Sequence, residues 1–464
     1  MSNHTDVLIV GAGPTGLTLA LDLARRGAGF RIVDKAPEEF RGSRGKGLQP
    51  RTLEIFDDLG VIDDILATGE VYPPMRVRVG RIPLFQSRMH KRKDPTPAVP
   101  YPMVTMQPQW RTEKILRDRL AEFGGKVEQG AELISFEQDG HGVTATLGTG
   151  ETIRARYLVG TDGGRSLVRK TLGIGFEGTT RKEERILIGD VRVTGIGRDH
   201  IHAWFRPGRG LVVLFPMAGT DTFQFVAPLP PGAGYALTLD GYRRVLAERS
   251  LLGSVEVTEL LWSSLYQVNI RMADRYRAGR VLLAGDAAHV HSPAGGQGLN
   301  TGVQDAYNLG WKLARVLDGA PESLLDTYEE ERKPVAAHVL GLSTMLHDKR
   351  SHKRDEETQQ LLLGYRGGSL ASGERAGDRA PDARCHLADG TPVRLFDLFR
   401  GPHFTVLTSG PVPRFDGVRS HEIGDWERIR DAYGDERHVL VRPDGYIALT
   451  TSSADELAAY LARV

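Results

Sequence analysis

The chain has 464 residues, enough to bury a large core and to divide into two or three domains. Its 60 basic and 59 acidic residues leave a formal charge of +1, and 40% hydrophobic with 26% charged residues is ordinary for a soluble globular protein. That balance gives no electrostatic footprint for nucleic acid or an anionic membrane surface, and no apolar run reaches the roughly 20 residues of a membrane span.

A single cysteine, Cys385, excludes an internal disulfide and any CxxC redox pair, which fits a reducing cytoplasm. The opening MSNHTDVLIV has no basic stretch ahead of its apolar residues and no small-residue cleavage site, so it reads as a first strand. Together these features predict a cytoplasmic protein with neither nucleic-acid nor membrane partners.

In chain order, residues 6–10 form an apolar strand, 11–16 a glycine-rich turn, and Leu17, Ala20, Leu21 and Ala24 repeat at helical spacing before a strand at 30–33. A helix follows at 49–59. Residues 71–106 are strand-like and rich in proline and arginine; 110–123 is helical, and 127–157 hairpin-rich. Alternating strands dominate 185–262, a strand at 280–285 leads into a long helix starting near Leu299, and 345–382 reads as a charged, glycine-rich linker. The basic run 347–354 reads as a solvated loop. In the tail, strands at 404–408, 438–441 and 446–449, with the turn Arg442-Pro443-Asp444-Gly445, precede a closing helix at 455–463.

Three motifs carry chemistry. Gly11-Ala12-Gly13-Pro14-Thr15-Gly16 stands between a strand and a helix: Gly11 permits the tight turn, Gly13 lets a pyrophosphate approach, and Gly16 lets helix and strand pack. Asp34, 18 residues beyond Gly16 and followed by Lys35, supplies the acceptor that an adenosine ribose needs. This motif alone does not separate FAD from NAD, because both carry the same ADP half.

The second motif, Tyr157-Leu-Val-Gly-Thr-Asp162-Gly163-Gly-Arg165-Ser166-Leu-Val-Arg169, breaks a buried strand at an Asp-Gly turn, with Ser166 as an N-cap; Asp162 is either a cofactor ligand or a turn-former. The third runs from Arg280 to Asn300. A strand delivers Asp286 at its C-terminal end, where open α/β sheets bind ligands and where a ribityl chain wants a carboxylate acceptor. The loop from Pro293 through Gly298 then opens a helix at Leu299, whose amides can stabilise negative charge on a reduced flavin ring. His289 and His291 make an incomplete metal shell, so no metal is expected.

With these three motifs in place, the sequence resembles the class A flavoprotein monooxygenases, the para-hydroxybenzoate hydroxylase-like family, over about residues 5–345. The tail resembles the thioredoxin-like domain carried by polyketide-type aromatic hydroxylases, without a redox motif. The resemblance implies an α/β fold with a discontinuous Rossmann-like FAD-binding domain (1–70, 107–180, 276–345). It also implies an inserted β-sheet substrate domain (71–106, 181–275), a linker (346–382) and a small C-terminal domain (383–464). It further implies that Asp34 binds the adenosine ribose, that Arg44 contacts the pyrophosphate region, and that Gln109 touches the flavin side. Asp286 would hold the ribityl and pyrophosphate, with Pro293, Gly298, Leu299 and Asn300 beside the ring.

The activity implied is hydroxylation of a phenolic or polyketide-derived aromatic by a flavin hydroperoxide, with NADPH or NADH as transient reductant and O₂ as co-substrate. The flavin does the chemistry, so no catalytic acid or base is assigned. Substrate is expected between the flavin and the β-sheet, against Trp204, Phe215, Met217, Phe223 and Pro293, and a homodimer is among the expected assemblies. Baeyer-Villiger-type insertion or antibiotic-inactivating oxygenation by the same chemistry, and a flavin-dependent dehydrogenase from a different class, are the alternatives.

Overall fold

The first strand, His4–Val10, pairs in parallel with Phe30–Asp34 on one side and Thr152–Gly160 on the other. Val127–Gln129 extends the sheet beyond Phe30–Asp34, and Val281–Leu283 extends it beyond Thr152–Gly160. These strands are apolar almost throughout, as strands covered on both faces must be: Val7, Leu8, Ile9, Leu158 and Val159 are wholly buried. The helices Pro14–Arg25 and Gly298–Leu317 pack against each other in the same core. Pro14 opens the first helix at a position whose N–H would be unpaired in any case. This computed structural model describes residues 3–464 except 233, 294, 350–356 and 412.

A second sheet crosses the molecule in the order His289–Val290, Glu256–Ala273, Phe176–Thr194, Phe223–Leu229, Gly210–Pro216, Ile201–Arg206, Met75–Val79, Ile82–Ser87. Its pairs are antiparallel except Ile201–Arg206 with Met75–Val79. One face is covered by the helix Leu239–Ser250 around Leu187, Leu214, Phe225 and Tyr242. The other carries Met75, Ile201, Ala203, Val213 and Phe215.

The C-terminal sheet runs Val418–Glu422, Phe404–Thr408, His438–Val441, Ile447–Thr451, with the first pair parallel and the others antiparallel, the order of a thioredoxin-like sheet. It closes with the helix Ala454–Leu461, whose N-cap Ser453 accepts from Glu456 N. Phe404, Val406, Leu440 and Leu449 join the core of the first domain, so the two share apolar surface.

The expected linker differs from the structure. The helix Asp326–Asp348 runs past residue 345, and residues 357–382 are woven into the body. Tyr365 and Leu370 are buried, and Ser372 bridges to Leu449. Gln360 donates to Gln297 Oε1 at 2.7 Å and accepts from Gln304 Nε2 at 2.6 Å. Charge and glycine content signalled exposure, but amide side chains here are spent on buried hydrogen bonds. Of the basic run, His347 lies within hydrogen-bond reach of Glu184 Oε2, 2.5 Å away, and 350–354 fall outside the described residues.

Candidate functional site

The first glycine turn is shaped by close backbone approach. A Cβ on Gly11, whose φ is +106°, would lie 2.5 Å from Thr161 O, and one on Gly16 only 2.0 Å from Gly11 O. Gly13 is different: a Cβ there would meet nothing within 4 Å, and the helix it caps has no side-chain cap. The positive end of that helix therefore opens onto free space. Asp34 accepts from Ala12 N at 2.7 Å and Ala36 N at 2.8 Å, which fixes its carboxylate at the rim of the turn. Lys35 beside it is exposed. Thr15 ties the first motif to the third, because its hydroxyl would lie 2.5 Å from a Cβ on Gly285 and 2.4 Å from one on Gly302.

Asp162 Oδ2 accepts from Leu167 N at 2.7 Å and Val168 N at 3.2 Å, the turn-forming role. Its Oδ1 is buried without a partner among the described residues. Ser166 caps the short helix Leu167–Thr171 by accepting from Arg169 N, as its position predicts.

Asp286 follows the strand Val281–Leu283 in a single 3-10 turn, Gly285–Ala287. The residue is exposed, yet protein atoms crowd around its carboxyl group. Burial pushes its pKa above the ordinary carboxylate range, while His289 and Arg44 pull it back. Its Oδ1 lies 4.0 Å from where a Cβ on Gly298 would sit, so the Gly298–Leu317 helix starts beside it. Gln297, at that N-cap, makes no side-chain cap hydrogen bond. Leu299 packs on Gly45. Asn300 is spent on the protein: it accepts from Gln49 N at 2.8 Å and donates to Gly47 O at 2.9 Å and Gly296 O at 2.7 Å. It therefore positions the loop that carries the exposed Pro293.

Behind Asp286 lies a buried network that the sequence did not reveal. His289 Nε2 is 2.6 Å from Asp305 Oδ2, and His289 Nδ1 is 2.8 Å from His291 Nε2. Asp305 also accepts from Gly285 N at 3.1 Å and from Arg332 Nε at 2.8 Å. Burial pushes the Asp305 carboxyl up, but His289 and Arg332 more than offset it and hold it below the ordinary range. Burial, helped by His289, keeps His291 neutral, well below the usual histidine pKa. Among the described residues, no group of three or more His, Cys, Asp or Glu could hold a metal ion.

Gln109 opens the helix Gln109–Glu122, accepts from Gly45 N at 2.9 Å and donates to Glu113 Oε1 at 2.8 Å. It thereby ties down the loop bearing the exposed Arg44, whose guanidinium stands 5.5 Å from the Phe40 ring centroid. Glu113, missed in the sequence, is pushed up to about 7 by burial, against the pull of Gln109 and Arg117; Asp34 adds to the rise and Arg44 opposes it. Its i,i+4 spacing from Gln109 was the available signal.

Of the five candidate substrate walls, the three on strands, Trp204, Phe215 and Phe223, separate by strand alternation. Trp204 and Phe223 face the helix Leu239–Ser250 in a closed core, so neither lines the cofactor side; this corrects the expectation for both. Phe215 is on the opposite face, in the cross-strand row Trp262–Asp190–Gln224–Phe215. Gln224 donates to Ser43 O, and Lys46 Nζ lies 3.9 Å from the Phe215 ring centroid, so the Arg44 loop is seated on this face. Met217 is buried in a turn where its carbonyl accepts from Arg198.

Open space at Gly13, two helix starts without side-chain caps and the unpartnered Asp162 Oδ1 fit a bound dinucleotide with an anionic pyrophosphate. A cavity of about 980 Å³, lined by Arg277, Glu322, Asp326 and Lys333, contains none of the motif residues. No helix among the described residues is long and apolar enough to cross a membrane.

Comparison with known proteins agrees with this geometry. Residues 4–343 match the family described as FAD binding domain, and residues 373–464 match aromatic-ring hydroxylase, C-terminal. A flavin-dependent monooxygenase of Mycobacteroides abscessus is 49% identical over 99% of both chains. The rifampicin monooxygenase of Rhodococcus hoagii is 35% identical over 98% of this chain and 96% of that one. The solved ternary complex of aklavinone-11 hydroxylase with FAD and aklavinone aligns with a TM-score of 0.82 at 28% identity, covering 100% of this chain and 99% of that one. The chain belongs to the FAD-dependent aromatic-ring monooxygenases, and FAD is its cofactor.

Proposed function

We propose that this enzyme hydroxylates an electron-rich aromatic small molecule, phenolic or polyketide-derived, with NADPH or NADH as reductant and O₂ as oxygen donor. The observation that carries this reading is the apolar sheet face of Met75, Ala203, Val213 and Phe215, on which the Arg44 loop is seated. A planar ring inserted between that buried face and the Arg44 loop would be desolvated next to the cofactor segments. The relatives named for rifampicin and aklavinone support a large ring system as substrate.

Bound FAD supplies electron transfer and oxygen activation. The protein's own groups position and protonate. Asp34 and the uncapped helix at Gly13 would hold the ADP half, and Asp286 with the Gly298 helix start would hold the flavin half. Asp190, buried on the sheet face, is pushed up to about 7 by burial, with Ser43 and Lys46 opposing, and so can hold or release a proton near neutrality at the substrate platform.

The test is NADPH consumption by FAD-loaded protein against a panel of phenols and polyketide aromatics, with product mass recorded. A compound that accelerates consumption and gains one oxygen atom supports the reading. Oxidation that leaves every compound unchanged, with the electrons recovered as hydrogen peroxide, counts against it.

A further inference from the structure

A second cavity, about 600 Å³, opens behind Tyr72. Its floor is apolar: Leu53, Leu66, Val71, Tyr101 and Met103 line it, and Leu66 and Val71 are 44% and 50% exposed. Its lip is basic, with Arg88, His90, Arg92 and Lys93 against the single acid Asp94. These belong to the run Arg88-Met-His-Lys-Arg-Lys93, in which five of six side chains are basic. Arg88 and Arg92 are exposed and make no hydrogen bond or ion pair with any described residue.

Tyr72 links this cavity to the site. It lines the cavity on one side and packs against the Met75–Phe215 cluster on the other. Its hydroxyl stands 2.9 Å from where a Cβ on Gly47 would lie, next to the loop that carries Arg44. The volume suits one small molecule, the floor suits an aromatic ring, and unpaired guanidiniums suit a carboxylate or phenolate at its edge.

We propose that this cavity receives an anionic aromatic small molecule, the class of substrate destined for the flavin site, and that Tyr72 is the partition between the two. The proposal deepens the hydroxylase reading and rests on it. The apolar floor favours an aromatic acid over a dinucleotide, whose ribose hydroxyls would find few polar partners there.

Calorimetry on the FAD-loaded enzyme, without reductant, tests it with naphthalene-2-carboxylate and its neutral isostere naphthalene-2-carboxamide. The acid is expected to bind roughly tenfold tighter, as charge-assisted hydrogen bonding implies. The double substitution Arg88→Ala with Arg92→Ala should erase that preference while leaving amide binding unchanged. Leu66→Asp, at an exposed position, should weaken both. Equal affinity for acid and amide, a preference that survives the double substitution, or displacement of the acid by NADP⁺ at equal concentration would each overturn the proposal. Because no turnover is involved, a failed hydroxylation panel would leave this binding result standing, and the two readings fail separately.

Discussion

Gln109 bridges Gly45 N and Glu113 Oε1, so a buried carboxyl one helical turn away braces the loop that carries Arg44. Burial raises the Glu113 pKa to about 7 from an ordinary 4.5. The folded protein therefore keeps a proton that the unfolded chain has released, and stability falls as pH rises from about 4.5 to 7. Glu113→Gln, which preserves the acceptor for Gln109, should raise stability at pH 8 by about 3 kcal/mol and change it little near pH 4. Urea denaturation at both pH values, at fixed saturating FAD, checks this; equal effects at the two would refute the proton assignment.

The glycines of the first turn make a sharper contrast. A Cβ at Gly13 meets nothing, whereas one at Gly16 runs into Gly11 O at 2.0 Å. Gly13→Ala should therefore fold with an unchanged denaturation midpoint but bind FAD at least roughly tenfold more weakly, because the methyl enters the pyrophosphate path. Gly16→Ala should cost about 2 kcal/mol or more in the cofactor-free protein, from backbone overpacking. Flavin fluorescence titration and thermal melts separate the two effects.

Much of this arrangement was legible before the fold was. The Gly11–Gly16 turn, Asp34 and Asp286 announce themselves because a strand-turn-helix joint leaves local periodicity in the sequence. The sheet face proposed for substrate did not. His202-Ala-Trp204-Phe alternates correctly, but the sheet is covered on both sides, by the Leu239–Ser250 helix and by the Arg44 loop. Both faces are then buried, one with Asp190 and Gln224 among its apolar residues, and period two alone cannot say which one the Arg44 loop covers. Asp305 and Arg332 were invisible for another reason: their partners are 16 to 27 residues away and carry no shared pattern.

Those two residues form a wholly buried ion pair at 2.8 Å, with His289 on the other carboxylate oxygen. Removing one member of such a pair leaves the other charged and dry, at a cost of about 3–5 kcal/mol. Asp305→Ala should show that loss in urea denaturation of the cofactor-free protein. Replacing Arg332 as well, by methionine, should recover part of it, because no unpaired charge then remains. No recovery in the double variant would mean that the loss comes from Gly285 N and His289 instead.

The C-terminal domain is fastened by a comparable device. Arg442 is bonded to Glu331 of the Asp326–Asp348 helix and to Asp444 of its own turn, with all three side chains essentially buried. Asp444 Oδ2 accepts from Trp311 Nε1 and Asn308 Nδ2, each at 3.1 Å, and Lys312 Nζ lies 2.7 Å from Glu331. Burial draws the Lys312 ammonium down, with Glu331 resisting, and Arg442 and Lys312 hold the Glu331 carboxyl below the ordinary range against its own burial. The domains are thus joined by charge that neither could bury alone. Arg442→Ala should leave Asp444 buried without a cation and Glu331 with Lys312 alone, and cost about 3–5 kcal/mol. Because Phe404 and Leu449 also enter the shared core, the chain should still unfold in one transition at a lower midpoint. A scanning calorimetry trace that split into two transitions would instead show that Arg442 alone couples the domains.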